Sequence, residues 1–327
     1  MKAVVIEGTG PAATLALREV PDPKPGDTEL LVAVRAAALN RADLRRAANH
    51  FAVSDSSRPL AVAGVEMAGE VAGMGAGARG FRVGDRVMAM TGGAYAEKVC
   101  IDHRLAIPVP DSLSWEEAAA TPITFVTAHD ALLTAGRMKA GETVLVQGGS
   151  TGAGIAAIQI AKLKGAKTVF ATAGNPDKLA RLRSLGCDVA LNYHEDDVAG
   201  IIKEQTAGKG VDLVIDIVGG SAAQVNIDAL AIRGRIVCVG RVAGVDATMN
   251  LDEFSRKRAR MIGVTFRTRS LEERIEAVRF FRDDLLPALA AKQIRPVIDT
   301  EMPLASAAAA QERMRANLHF GKIVLRV

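Results

Sequence analysis

From about residue 122 onwards the chain alternates between short apolar runs bounded by Gly and segments of helical pattern. The runs are ETVLVQ, KTVFAT, VALNY, VDLVIDIVGG, GRIVCVG and ARMIGVTF, and helix-length stretches separate the first five. Runs that are apolar at nearly every position must be covered on both faces. Parallel strands joined through helices achieve that cover. The alternation therefore predicts an α/β fold with a doubly wound parallel sheet.

The earlier part reads differently. AVVIEG, ELLVAVRAAALN, EMAGEVAGMG, FRVGDRVMAM and AEKVCID are short strand-like runs punctuated by Gly, Pro and Asp, as in a mostly-β domain. WEEAAATPITFVTAHDALLTAG reads as two helical segments that break at Thr121–Pro122, with Ser114 and Glu117 at capping-box spacing. From about 268 come an amphipathic helix, LEERIEAVRFFRDDLLPALA, a second helix, ASAAAAQERMRAN, and a closing strand, KIVLRV. With 327 residues, two domains are expected.

A formal charge of +4 and the lack of a dense Lys/Arg block argue against a nucleic-acid partner. Cys100, Cys187 and Cys238 lie far apart, so no disulfide framework is expected and a reducing compartment is. MKAVVIEG meets an acid at Glu7 and reads as a first strand rather than a signal peptide. No apolar stretch is long enough to span a bilayer, so a cytoplasmic protein is expected.

The first apolar run opens into LVQGGSTGAG and then a helix from about 153 to 164. Strand, glycine turn and helix form a pyrophosphate cradle, in which main-chain N–H groups and the helix dipole face the anion. Gly149, Ser150, Thr151, Gly152, Ala153 and Gly154 make up this loop. Gly149 is expected to supply the tight turn and Gly154 the close packing, while Thr151 replaces the middle glycine and offers a hydroxyl to a phosphate oxygen. About 20 residues on, NAD enzymes place an acid for the ribose hydroxyls; here stand Ala171, Thr172, Ala173 and Gly174. Asn175 reads as a helix N-cap with Pro176 at the first helical position, and Lys178 lies in the first turn, within reach of a 2′-phosphate. These features favour NADP(H).

Taken in order, ALNRADL, GFRVGDRV, GGAYAEKV, TAHDAL, GGSTGAGIAAIQIAK, IDIVGG and GKIVLRV resemble the zinc-free quinone oxidoreductase (zeta-crystallin-like) branch of the medium-chain dehydrogenase/reductase superfamily. The resemblance implies a GroES-like mostly-β catalytic domain of residues 1–121 and 268–327. It implies a Rossmann NADP(H)-binding domain of residues 122–267, an active site in the cleft between the two, and a homodimer formed near RMIGVTF. Zinc-dependent relatives have Cys where Asn40 stands and His where Val65 stands, so no metal is expected. Asp43 and Glu66 are then read as structural hydrogen-bonding carboxylates.

By the same resemblance, Asn40 is the pocket residue that binds a substrate oxygen, and Thr127 lies near the nicotinamide ribose. Lys178 and Tyr193 clamp the 2′-phosphate. Gly240 and Arg241 meet the carboxamide end, with Arg241 also facing substrate, and Asn317 and Lys322 close over the cofactor. Phe51, beside His50, stands where the branch often has a Tyr, keeping an aromatic wall without a hydroxyl donor. The expected activity is hydride transfer from NADPH to a quinone or an α,β-unsaturated carbonyl. Two alternatives stay open: an enoyl or alkenal double-bond reductase with a non-quinone substrate, and an NADPH-binding protein with a redox-sensing or RNA-binding role.

Overall fold

The computed structural model describes residues 1–8, 13–44 and 61–327. Phe51 and His50 lie outside the described residues. The strands, in chain order, begin with β1 (Lys2–Glu7), β2 (Thr14–Glu19), β3 (Glu29–Ala38), β4 (Ala61–Val62) and β5 (Glu66–Met74). Next come β6 (Arg86–Met90), β7 (Lys98–Asp102), β8 (Ile107–Pro108), β9 (Thr143–Gln147), β10 (Thr168–Ala173) and β11 (Val189–Asn192). The last are β12 (Val211–Asp216), β13 (Leu230–Cys238), β14 (Arg260–Gly263), β15 (Ile298–Pro303) and β16 (Lys322–Arg326).

The chain divides into two units: Met1–Ile123 with Phe266–Val327, and Thr124–Thr265. In the first, a three-stranded antiparallel sheet runs β2-β1-β4, and a larger sheet runs β15-β16-β3-β5-β6-β8, with β7 also paired to β3. Strand β3 is long enough to serve two neighbours along one edge, where Glu29–Ala33 pair with β7 and Ala36–Ala38 pair with β16, while β5 pairs along the other. Its small residues Ala36, Ala37 and Ala38 and the following Leu39 are fully buried. They deliver Asn40 to the end of the sheet, opposite the start of β5 at Glu66.

The second unit holds one six-stranded sheet, ordered β11-β10-β9-β12-β13-β14, with every pair parallel. The order reverses between β9 and β12. Such a switch point leaves a crevice at the carboxyl ends of the strands, where open α/β sheets take ligands. Local signals in the sequence carry through. Ser114 and Glu117 form a reciprocal capping box, and Asn175 caps the helix Pro176–Arg183 with Pro176 at its start. Among the described residues no helix is long and apolar enough to cross a membrane.

Candidate active site

At the switch point the chain leaves β9 through Gly148, whose φ of 77° lies in the left-handed region that a side chain disfavours. The turn glycine is thus Gly148 rather than Gly149. Gly149 is instead a close-packing position, where an added Cβ would sit 2.9 Å from Ala171 Cβ. Gly154 has no room either, because a Cβ there would lie 2.4 Å from Gly148 O. The expected hydroxyl contact from Thr151 is also corrected. Thr151 Oγ1 donates to Gly148 O at 2.8 Å and accepts from Gly154 N at 3.0 Å, capping the helix Gly152–Leu163. Its proton is therefore engaged. Among the described residues, no acceptor is seen for the main-chain N–H groups of Ser150, Gly152 and Ala153, and all three residues are half-buried at the N-terminus of a 12-residue helix. Three donors with no acceptor among the described residues, on the positive end of a helix dipole, fit an anionic pyrophosphate.

Thr172, expected at the cofactor, is fully buried and holds the turn from beneath. Its Oγ1 accepts from Gly148 N at 3.1 Å and donates to Gln147 Oε1 at 2.7 Å, so its side chain offers nothing to a ligand. A buried polar chain continues from there. Gln147 Nε2 donates to Asn226 Oδ1 at 2.8 Å, and Asn226 Nδ2 donates to Asp216 Oδ2 at 3.0 Å. Asp216 Oδ1 accepts from Val218 N and Gly219 N, while its main-chain O accepts from Val239 N and Gly240 N. One chain of groups thus ties the β9 turn to the turns after β12 and β13. Burial pushes the Asp216 carboxyl up against the hydrogen bonds that favour its charge. Sequence reasoning missed Gln147, Asn226 and Asp216. The available signal was three polar groups on otherwise buried faces, which must be hydrogen-bonded.

At the end of β10, Gly174 and Tyr193 are in close contact: a Cβ on Gly174 would lie 2.5 Å from the Tyr193 hydroxyl oxygen. Tyr193 is 53% exposed and Lys178 half-buried, and no carboxylate stands among residues 171–175. Ala173 ends β10, Tyr193 follows β11 beside it, and Lys178 lies in the first turn of the helix after β10. An added side chain on Gly240 would meet Ile217 O at 2.1 Å, so the turn before the exposed Arg241 is closely packed. Thr127 is half-buried on the helix Pro122–His129. Asn317 follows a helix end at φ 56° and accepts a hydrogen bond from Arg41.

Asn40 sits in a buried charged cluster within the first unit. Its Nδ2 donates to Glu66 Oε1 at 2.7 Å, and Lys322 Nζ donates to its Oδ1 at 2.8 Å. Among the described residues, the second Nδ2–H faces only Ala38 O, at 3.5 Å, the outer limit of a hydrogen bond. Lys322, expected over the cofactor, is buried instead: its Nζ also donates to Leu39 O and to Glu66 Oε1, each at 2.5 Å. All three of its protons are engaged. Glu66 Oε2 accepts from Ile123 N at 2.8 Å, at the start of the helix Pro122–His129. Asp43 Oδ2 accepts from Asn40 N and from the Tyr95 hydroxyl, each at 2.8 Å. Asp43 and Glu66 thus do the hydrogen-bonding work expected of them. Burial and the neighbouring carboxylates raise Tyr95 well above its ordinary range, so it remains a donor.

Burial pushes the Asp43 carboxyl up to about 6, against the hydrogen bonds from Asn40 and Tyr95 and the attraction of Lys322; Glu66 adds to the rise. Its folded value lies above the ordinary 3.8, so the folded state holds the proton more tightly. The associated stability is fully present below the ordinary value and is lost as pH rises through about 6. Urea midpoints measured across this window should fall with rising pH in the wild type. Asp43→Asn should lack that component, and an identical slope in both proteins would contradict it.

Residues 26–111 match the alcohol dehydrogenase GroES-like domain family, and residues 152–283 match the zinc-binding dehydrogenase family. A crystal structure of an NAD-dependent alcohol dehydrogenase is similar over 100% of both chains, at 31% identity and a TM-score of 0.85. The Escherichia coli quinone oxidoreductase complexed with NADPH is similar over 100% of both chains, at 26% identity and a TM-score of 0.87. A Mycobacterium tuberculosis phthioceranic/hydroxyphthioceranic acid synthase is 33% identical over 98% of this chain, which spans only 15% of the synthase. The name of the second family raises the question of a zinc site. The residues do not fit one: Asn40 and Val65 stand at the ligand positions, and the Lys322 ammonium bonds both Asn40 Oδ1 and Glu66 Oε1. A cation there would face an ammonium and lack soft or imidazole donors. Among the described residues no other cluster of His, Cys, Asp or Glu could hold a metal ion.

Proposed function

The chain belongs to the medium-chain dehydrogenase/reductase superfamily, in its zinc-free quinone oxidoreductase branch, and on that premise we propose that it reduces a quinone or an α,β-unsaturated carbonyl with NADPH. The observation that carries the reading is the cradle at the N-terminus of the helix Gly152–Leu163, where the N–H groups of Ser150, Gly152 and Ala153 have no acceptor among the described residues. NADPH, when bound, supplies the hydride. The cradle binds its pyrophosphate, and Lys178 and Tyr193 take the 2′-phosphate. Thr127, Gly240, Arg241 and Asn317 serve the remaining length of the cofactor. Asn40 donates a hydrogen bond from its second amide N–H to the acceptor oxygen as charge develops there, as an oxyanion-hole donor does, and keeps its proton. Solvent supplies the proton that completes the reduction.

Activity is tested by following NADPH loss with a panel of quinones and enals. Turnover with at least one acceptor is expected, and NADPH binding without turnover of any would contradict the reading.

Nucleotide choice has its own test. Lys178→Ala should raise the KM for NADPH about ten- to hundredfold, from the ~1.5–3 kcal/mol of a hydrogen bond to a charged group. The KM for NADH should hardly move. An equal change for both would mean that Lys178 does not read the phosphate.

The edge of the parallel sheet supports the proposed homodimer. Strand β14 ends the strand order, and its residues Arg260, Met261 and Gly263 are exposed. A twofold pairing of that edge would satisfy its ladder groups. Sedimentation should give twice the 34.3 kDa chain mass, whereas a single-chain mass would contradict the dimer. The separated free cysteines support a cytoplasmic, reducing setting.

A further inference from the structure

The Asn40 amide, Glu66 and Lys322 close a three-membered ring of hydrogen bonds. Lys322 Nζ donates to Asn40 Oδ1 and to Glu66 Oε1, and Asn40 Nδ2 donates back to that same carboxylate oxygen. Its two charged members are buried, with side chains 3% exposed for Lys322 and 0% for Glu66, and Asn40 is half-buried. It also fixes which way the amide faces. A flipped Asn40 would set its NH₂ against an ammonium and its oxygen against a carboxylate, and both contacts repel.

Two consequences follow for the second Nδ2–H, which among the described residues has only a distant contact with Ala38 O. Its direction is set before any ligand arrives. The ammonium on Oδ1 draws electron density from the amide and makes that N–H a stronger donor, as neighbouring hydrogen bonds polarise one another in a low dielectric. The main chain is held as well, by Asn40 N on Asp43 Oδ2 and Asp43 N on Asn40 O.

We propose that Lys322 is a positioning residue for Asn40: with Glu66 it orients and polarises the amide that meets the acceptor oxygen, and it does not touch the cofactor. The catalytic part of this rests on the reductase reading above; the structural part does not. Removing Lys322 alone would leave a buried carboxylate unpaired, so the test uses the double variant Lys322→Met/Glu66→Gln, which removes both charges. The first readout is the Asn40 side-chain amide in nitrogen-15-labelled protein, assigned by its loss in Asn40→Asp. In the wild type the two amide protons should be well separated and slow to exchange. In the double variant they should converge and exchange at least about tenfold faster, as local opening becomes easier.

The second readout separates kcat from cofactor binding. The double variant should lose about tenfold in kcat, less than the cost of a missing oxyanion donor, with the NADPH Kd within about twofold. Unchanged amide shifts and exchange would overturn the proposal. A weakened NADPH Kd with kcat preserved would also overturn it and make Lys322 a cofactor ligand. If the wild type reduces no acceptor, the reductase reading fails, while the amide readout still decides the role of Lys322.

Discussion

Asn40→Ala is expected to lower kcat about 10²-fold, the usual cost of removing one preorganised oxyanion donor, while the NADPH Kd stays within about twofold. The size follows from how the amide is held. Its oxygen faces Lys322, one proton faces Glu66, and the other has, among the described residues, only a 3.5 Å contact with Ala38 O. An N–H directed in advance acts on the transition state rather than on ground-state binding, so the loss belongs in kcat. Asn40→Asp should be at least as damaging, because it replaces the donor with an acceptor and sets a second carboxylate beside Glu66. Stopped-flow reduction rates together with NADPH titration separate the two terms. A variant with wild-type kcat would remove Asn40 from the chemistry.

Glu66→Ala should cost about 3–5 kcal/mol of stability, the range for breaking a buried ion pair by deleting one partner. Three donors lose their acceptor at once: Lys322 Nζ, Asn40 Nδ2 and Ile123 N. With Glu66 fully buried, water cannot replace it without opening the sheet end. Replacing both partners by Met should recover most of the loss, because no uncompensated charge remains. Urea unfolding of the three proteins checks this. A change below about 1 kcal/mol in Glu66→Ala would mean that the ring does not hold this region together.

The parallel sheet was legible because burial on both faces writes itself into unbroken apolar runs such as TVLVQ and VDLVID. The ends of the helices were legible through their caps, as at Ser114 and Asn175, where side chain and main chain are only three residues apart. The cradle was recognised as a loop, but its internal assignments shifted. Gly148 and Gly149 are neighbours, and only the backbone shows which of them turns. Thr151 could have faced a ligand or its own helix, and the cap, which needs no partner from outside, takes the hydroxyl.

Lys322 was misplaced for a different reason. Its partners Asn40 and Glu66 are 282 and 256 residues away, and a lysine before a last strand carries no local sign of burial. Only the pairing of β16 with the end of β3 brings them together. The same holds for Gln147, Asn226 and Asp216, which meet through the register of β9 with β12 and a helix packed beneath.

The central claim is that this chain moves a hydride from NADPH to a carbonyl-conjugated acceptor, and the direct measurement is isotopic. NADPH deuterated at the transferring carbon of the nicotinamide should reduce an enal to a product that carries the deuterium on carbon. It should also consume a quinone more slowly than unlabelled NADPH does. NADPH that binds but is consumed with no acceptor, or a product whose carbon-bound hydrogen comes from solvent alone, would contradict the account.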